Sequence, residues 1–178
     1  MKTAYKIALG ALIMALSCIF MMATTVFPFA SFAFPAIAGM LLIYLNIEFG
    51  KKWALLVYVG VALLSFMISS DHTAVISFAV FFGYYPILKG IIESLNNRVF
   101  EWVIKLLVFN IAIAIGVFLT ILIFGKEILL TEYSEFGKMG LLAFILACEV
   151  VFVIFDLALT RLISFFIKVI LPRLKKIR

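Results

Sequence analysis

A chain of 178 residues that is 67% hydrophobic and 13% charged cannot clothe a water-soluble fold in polar surface, so composition places it in a membrane as one integral domain. The same composition leaves no room for a separate extramembrane catalytic module. A net charge of +6 would point a soluble protein toward nucleic acid; here the basic residues are spaced as a membrane-topology signal, and no nucleic-acid partner is expected.

Between Lys6 and Glu48, 41 consecutive residues carry no charge. A helix crosses the hydrocarbon in about 20 residues, and on that ruler the chain has six spans, 5–26, 34–46, 53–69, 73–92, 102–124 and 139–166. The fold class is thus an all-α polytopic membrane bundle. The first run resembles a signal peptide, with Ser31-Phe32-Ala33 as a small-residue cleavage site. It exceeds the roughly 7 to 15 apolar residues of such a peptide, so an uncleaved span is expected. Ala4, Ala8, Ala11 and Ala15 recur at i, i+4, i+7 and i+11, which puts four small side chains on one face of the first helix. In lipid such a face admits close approach of another backbone, in this chain or in a partner.

In the Phe27 to Pro35 connector, Phe27, Phe29, Phe32 and Phe34, fixed by Pro28 and Pro35, either close over an external cavity as an apolar lid or dip into lipid. The second span is short for a membrane unless the connector lies in the membrane as well. Ser70 or Asp71 reads as the N-cap of the fourth helix, and His72 follows as a capped loop end or a solute contact. Within that helix Pro86 lacks an N–H and predicts a kink, with carbonyls left to a cavity or a neighbouring helix. Tyr84 and Tyr85 are core, interface anchors or pocket walls, and Lys89 and Glu93 can pair at i, i+4. The sixth span is longer than the hydrocarbon needs, so its last turns leave the bilayer or lie along it. Cys18 and Cys148 sit far apart in apolar runs, as packing residues do.

Thirteen of the fifteen Lys and Arg residues fall on one side of this topology, and only Lys126 and Lys138 on the other. Both termini are therefore expected in the cytoplasm, with the connector, the Asp71-His72 turn and the segment from Gly125 to Gly137 outside. The basic tail from Pro172 to Arg178 reads as an anchor on anionic lipid headgroups. Glu149 and Asp156 stand one heptad apart on the sixth helix and so share a stripe. Charges at the bilayer centre cost about 2.5 to 3.5 kcal/mol, so each needs a partner or a task. Asp156 has Lys89, Asn110 and Arg161 at similar depth and reads as structural; Glu149 has no basic residue near it and reads as a solute contact. No phosphate loop, CxxC or HExxH spacing is present, and neither a metal, a cofactor nor an enzymatic activity is expected.

Six spans with both ends inside, an AxxxA pattern at Ala4/Ala8 and Ala11/Ala15, and a long apolar connector after the first helix together make a pattern. It resembles the S component, the substrate-binding membrane subunit, of energy-coupling-factor vitamin transporters. The resemblance implies that the alanine face docks on a transmembrane coupling subunit driven by two cytoplasmic ATPases. It also implies that a small vitamin-like solute is held at the outer side by Phe29 to Pro35 as lid, with Glu149, Tyr84, Asp71 and His72 as pocket contacts. The solute-specific signatures of the riboflavin, thiamine and biotin members are missing, which leaves the solute open. The alternative is a membrane scaffold of cell-envelope or cell-shape assembly, similar in size and span number to the rod-shape-determining scaffold protein.

Overall fold

A computed structural model of the chain describes residues 2–95, 97–125 and 137–170. Every regular element among them is helical. Five helical stretches are long and apolar enough to cross a membrane: Thr3–Val26, Lys51–Ile68, His72–Leu95, Arg98–Phe124 and Ile145–Lys168. A shorter apolar helix occupies Ala33–Phe49. The chain divides into two units, Met1–Thr120 and Ile121–Arg178.

The first unit begins with α1 (Lys2–Val26), unbroken over 25 residues because it holds no proline. Pro28 ends it by pushing the residue before it out of the helical region; Phe27 sits at φ −122°, ψ 78°, and a short 3₁₀ turn, Pro28–Ala30, follows. Next come α2 (Ala33–Phe49) and α3 (Lys51–Ile68). They are separated by Gly50 alone, whose φ of +88° is a backbone state that a side chain would strain. The Gly50 N–H still bonds the Asn46 carbonyl at 3.1 Å, so α2 closes its last turn before the chain reverses.

Helix α1 packs on α2 and α3 through Gly10, Ile13, Ser17, Met21 and Thr24, all buried. Three of these five are small residues, as expected where helices meet in a medium as apolar as their side chains. The core then runs through Ala38, Leu42, Leu45, Val57 and Val61 to Phe78 and Ile87. At the Gly50 end, Lys6 Nζ lies 4.6 Å from the Trp53 ring centroid and 5.9 Å from that of Phe49. The stem of Lys6 thereby covers aromatic surface that α2 and α3 present.

The stretch expected as one helix over 73–92 is three pieces: α4 (His72–Ser77), a π-helical turn (Phe78–Phe82) and α5 (Tyr85–Ile92). Asp71 is its N-cap, accepting from the Ala74 N–H at 3.0 Å. Helix α6 (Arg98–Phe124) follows, its residues from Ile121 onward belonging to the second unit. Phe109 of α6 meets Phe81 edge to face at 5.2 Å.

The second unit contains α7 (Gly137–Phe165), continued by a π-helical turn at Phe166–Ile170. Phe152, Asp156 and Leu159 are buried at i, i+4 and i+7, and Glu149 stands half-buried on the same stripe. The expected shared face of Glu149 and Asp156 is thus present, about 10 Å separating them along the axis. Most of the segment from Gly125 to Gly137 and all of the tail from Pro172 lie outside the described residues.

Candidate functional site

The connector and the α3–α4 turn come together through a short polar chain. Ser31 Oγ donates to Asp71 Oδ2 at 2.6 Å and also lies 2.7 Å from the Pro28 carbonyl, so its single proton has a charged and a neutral acceptor to hand. The Asp71 N–H donates to Ser69 Oγ at 3.2 Å, and Ser69 Oγ donates to the Met21 carbonyl of α1 at 3.2 Å. One carboxylate therefore caps α4, fixes the connector and reaches α1 through a serine. His72 sits half-buried beside Phe66, ring centroids 6.1 Å apart. Of the four connector phenylalanines, Phe34 is half-buried against Phe20 and Phe27, whereas Phe27, Phe29 and Phe32 are exposed, Phe29 to 89% and Phe32 to 62%.

The break in the fourth span is held from two sides. Pro86 has no N–H to give the Phe82 carbonyl four residues before it. Against that carbonyl lies Gly39 of α2, so close that a Cβ there would overlap the oxygen; only glycine lets the two backbones meet. On the other side Tyr58 of α3 donates its hydroxyl to the Ala79 carbonyl at 2.5 Å. Its ring fills the space beside Gly83, where any side chain would collide with it. Inside the turn the Gly83 N–H bonds the Phe78 carbonyl at 2.8 Å, the i to i+5 spacing that defines a π turn. Tyr84 stands half-buried at the break with its ring edge-on to Tyr58 at 6.3 Å, while Tyr85 is fully buried and stacks on Phe81 at 4.7 Å.

Below the break is a buried ion network. Glu93 Oε1 accepts from Lys89 Nζ at 2.5 Å and from Lys105 Nζ of α6 at 3.0 Å, and Lys105 also reaches Glu101 Oε1 at 2.6 Å. Both lysine side chains are at most 2% exposed. The four groups sum to zero charge, the arrangement that lets cationic side chains persist in an apolar span. Lys105 also lies 5.2 Å from the Trp102 ring centroid.

No family model, curated protein or solved structure matches this chain. The structure brings the connector, Asp71 and His72 to one end of the first unit. Tyr84 lies some 20 Å further along the fourth span, at its break. Glu149 belongs to the second unit. Ala4, Ala8, Ala11 and Ala15 are all exposed. At 100° per residue their mean direction is about 150° from that of the buried face of α1, nearly opposite to it. Among the described residues no three His, Cys, Asp or Glu side chains are grouped to hold a metal ion.

Several residues that shape the site carry no motif. Tyr58 and Gly39 act on the break from other helices, and Ser31 acts on Asp71 across 40 residues of chain. The signal available in the sequence was the partner of each: Pro86 announces a carbonyl without its usual donor, and an N-capping Asp has a second oxygen to satisfy.

Proposed function

We propose that this chain is the membrane-embedded, solute-binding subunit of an uptake system. It binds a small vitamin-like solute and docks through α1 on a transmembrane coupling subunit driven by cytoplasmic ATPases. The observation that carries this function is the outward alanine face. A helix meeting only lipid gains nothing from small side chains, whereas one that receives another helix does. Helix α1 buries one small-residue face in its own unit and turns Ala4, Ala8, Ala11 and Ala15 away from it. Both termini are cytoplasmic in this account, and the protein resides in the cytoplasmic membrane.

Solute binding is assigned to the connector end. Phe29 and Phe32 are large apolar side chains with little to cover them, on a connector that Ser31 and Asp71 hold in place. His72 and Phe34 supply further aromatic walls at that end, whereas Tyr84, about 20 Å along the span, and Glu149, of the second unit, are separate candidate contacts. The test uses the full chain expressed in its host. Ala8→Trp and Ala11→Trp are expected to abolish co-purification of the coupling subunit while solute stays bound. Glu149→Gln is expected to fold normally and lose solute. Tryptophan variants that retain every partner refute the docking face, and undiminished solute binding removes Glu149 from the site. Envelope-assembly proteins as the sole partners, with no solute, favour the scaffold function instead.

A further inference from the structure

We propose that the π-helical turn at Phe78–Phe82 is a register switch that couples the connector to the break at Tyr84. A π turn holds one residue more than an α turn. Reverting it to α-helix would rotate α4 against α5 by about 100° and slide it by about 1.5 Å. Such a change usually breaks a continuous ladder of backbone hydrogen bonds. Here the ladder is already interrupted, because Pro86 has no N–H and the chain turns at Gly83 and Tyr84.

What keeps the π register is side chains from elsewhere. Tyr58 donates to the Ala79 carbonyl, and its ring lies against Gly83 and 5.8 Å from the Phe78 centroid. These contacts are specific to one register, since a rotation of about 100° turns the Ala79 carbonyl away from the Tyr58 hydroxyl. The two ends of the span are fastened to different parts of the unit. At the start, Asp71 is bonded to Ser31 of the connector and, through Ser69, linked to α1. At the finish, Glu93 pairs with Lys89 and with Lys105 of α6. A register change therefore moves α4 and the connector while α5 stays anchored, and displacement of the connector biases the register in turn. The device operates irrespective of which solute or partner the protein serves.

The experiment is fluorine NMR of the full chain in lipid nanodiscs, with 3-fluorotyrosine at every tyrosine and the Tyr84 resonance assigned by its loss in Tyr84→Phe. The switch predicts two Tyr84 environments. Tyr58→Phe, which keeps the ring and removes the hydroxyl, shifts their ratio by about fivefold, the ratio that one neutral hydrogen bond is worth. Ser31→Ala, remote from Tyr84, also shifts it severalfold. A Tyr84 signal whose ratio and position are both unmoved by Ser31→Ala overturns the proposal. Because Ser31→Ala leaves the core untouched, that variant decides the matter even if Tyr58→Phe fails to fold.

Discussion

Glu93→Gln tests whether the buried ion network holds α5 to α6. The Glu93 carboxylate lies between two ammonium groups at 2.5 and 3.0 Å, with Lys89 fully buried, Lys105 nearly so, and Glu93 itself 33% exposed. Breaking a fully buried pair costs about 3 to 5 kcal/mol. Glu93 is partly solvated and Lys105 keeps Glu101 at 2.6 Å, so the expected loss is about 2 kcal/mol. For a chain of this length that lowers the thermal midpoint by about 4 to 8 °C. Glu101→Gln, which serves Lys105 alone among the ion pairs described, is expected to cost about half as much. Lys89→Met combined with Glu93→Gln is expected to recover most of the loss, since removing both members of a buried pair is close to neutral. Thermal unfolding in mild detergent, followed by fluorescence of Trp102 beside Lys105, reads all four proteins. A Glu93→Gln midpoint within 1 or 2 °C of the parent (roughly 0.5 kcal/mol), or a double variant no better than the single, would refute the reasoning.

The other expectations concern the break, the cap and the two faces of α1. Gly39→Ala forces a methyl into the Phe82 carbonyl, which is backbone and cannot swing aside; a loss of about 1 to 3 kcal/mol is expected in the same unfolding assay. Gly90→Ala is its control: nothing lies near that position, and it should gain up to about 1 kcal/mol from helix propensity. Asp71→Ala removes the cap of α4 and the acceptor of Ser31 together. It should cost about 1 to 2 kcal/mol and speed hydrogen exchange of the 29–33 amides while those of α3 keep their protection. Ser17→Trp should prevent stable folding because Ser17 is fully buried, whereas Ala8→Trp should leave the midpoint within about 2 °C, as exposed substitutions do. Equal effects of those two tryptophans would reverse the assignment of faces.

The helical framework was legible because it follows from one length scale, and each span expected from the apolar runs falls on helical residues, the fourth in three pieces. The Lys89–Glu93 pair was legible as well, and the cap of α4 was narrowed to Ser70 or Asp71, these being contacts between residues three or four apart on one helix. The stripe joining Glu149 and Asp156 needed only the helical period. What the sequence hid is tertiary. Pro86 predicts a kink but not a π turn, because the extra residue is stabilised by Tyr58 of a different helix and by the lack of a side chain at Gly39 and Gly83. Lys105 counts in the sequence as one more topology charge; its burial with Glu93 depends on how α5 and α6 pack. The alanine stripe was visible, yet its exposure was not, since α1 carries a second small-residue face through Gly10 and Ser17 and either face could have turned inward.

The most direct measurement of the proposed function is mass spectrometry of everything that accompanies the full chain through gentle detergent purification, small molecules and proteins together. The account predicts a bound vitamin-like solute and a transmembrane subunit with ATPases, the latter lost from Ala8→Trp and Ala11→Trp. Recovery of envelope-assembly proteins without solute, in equal amounts from parent and tryptophan variants, would contradict it.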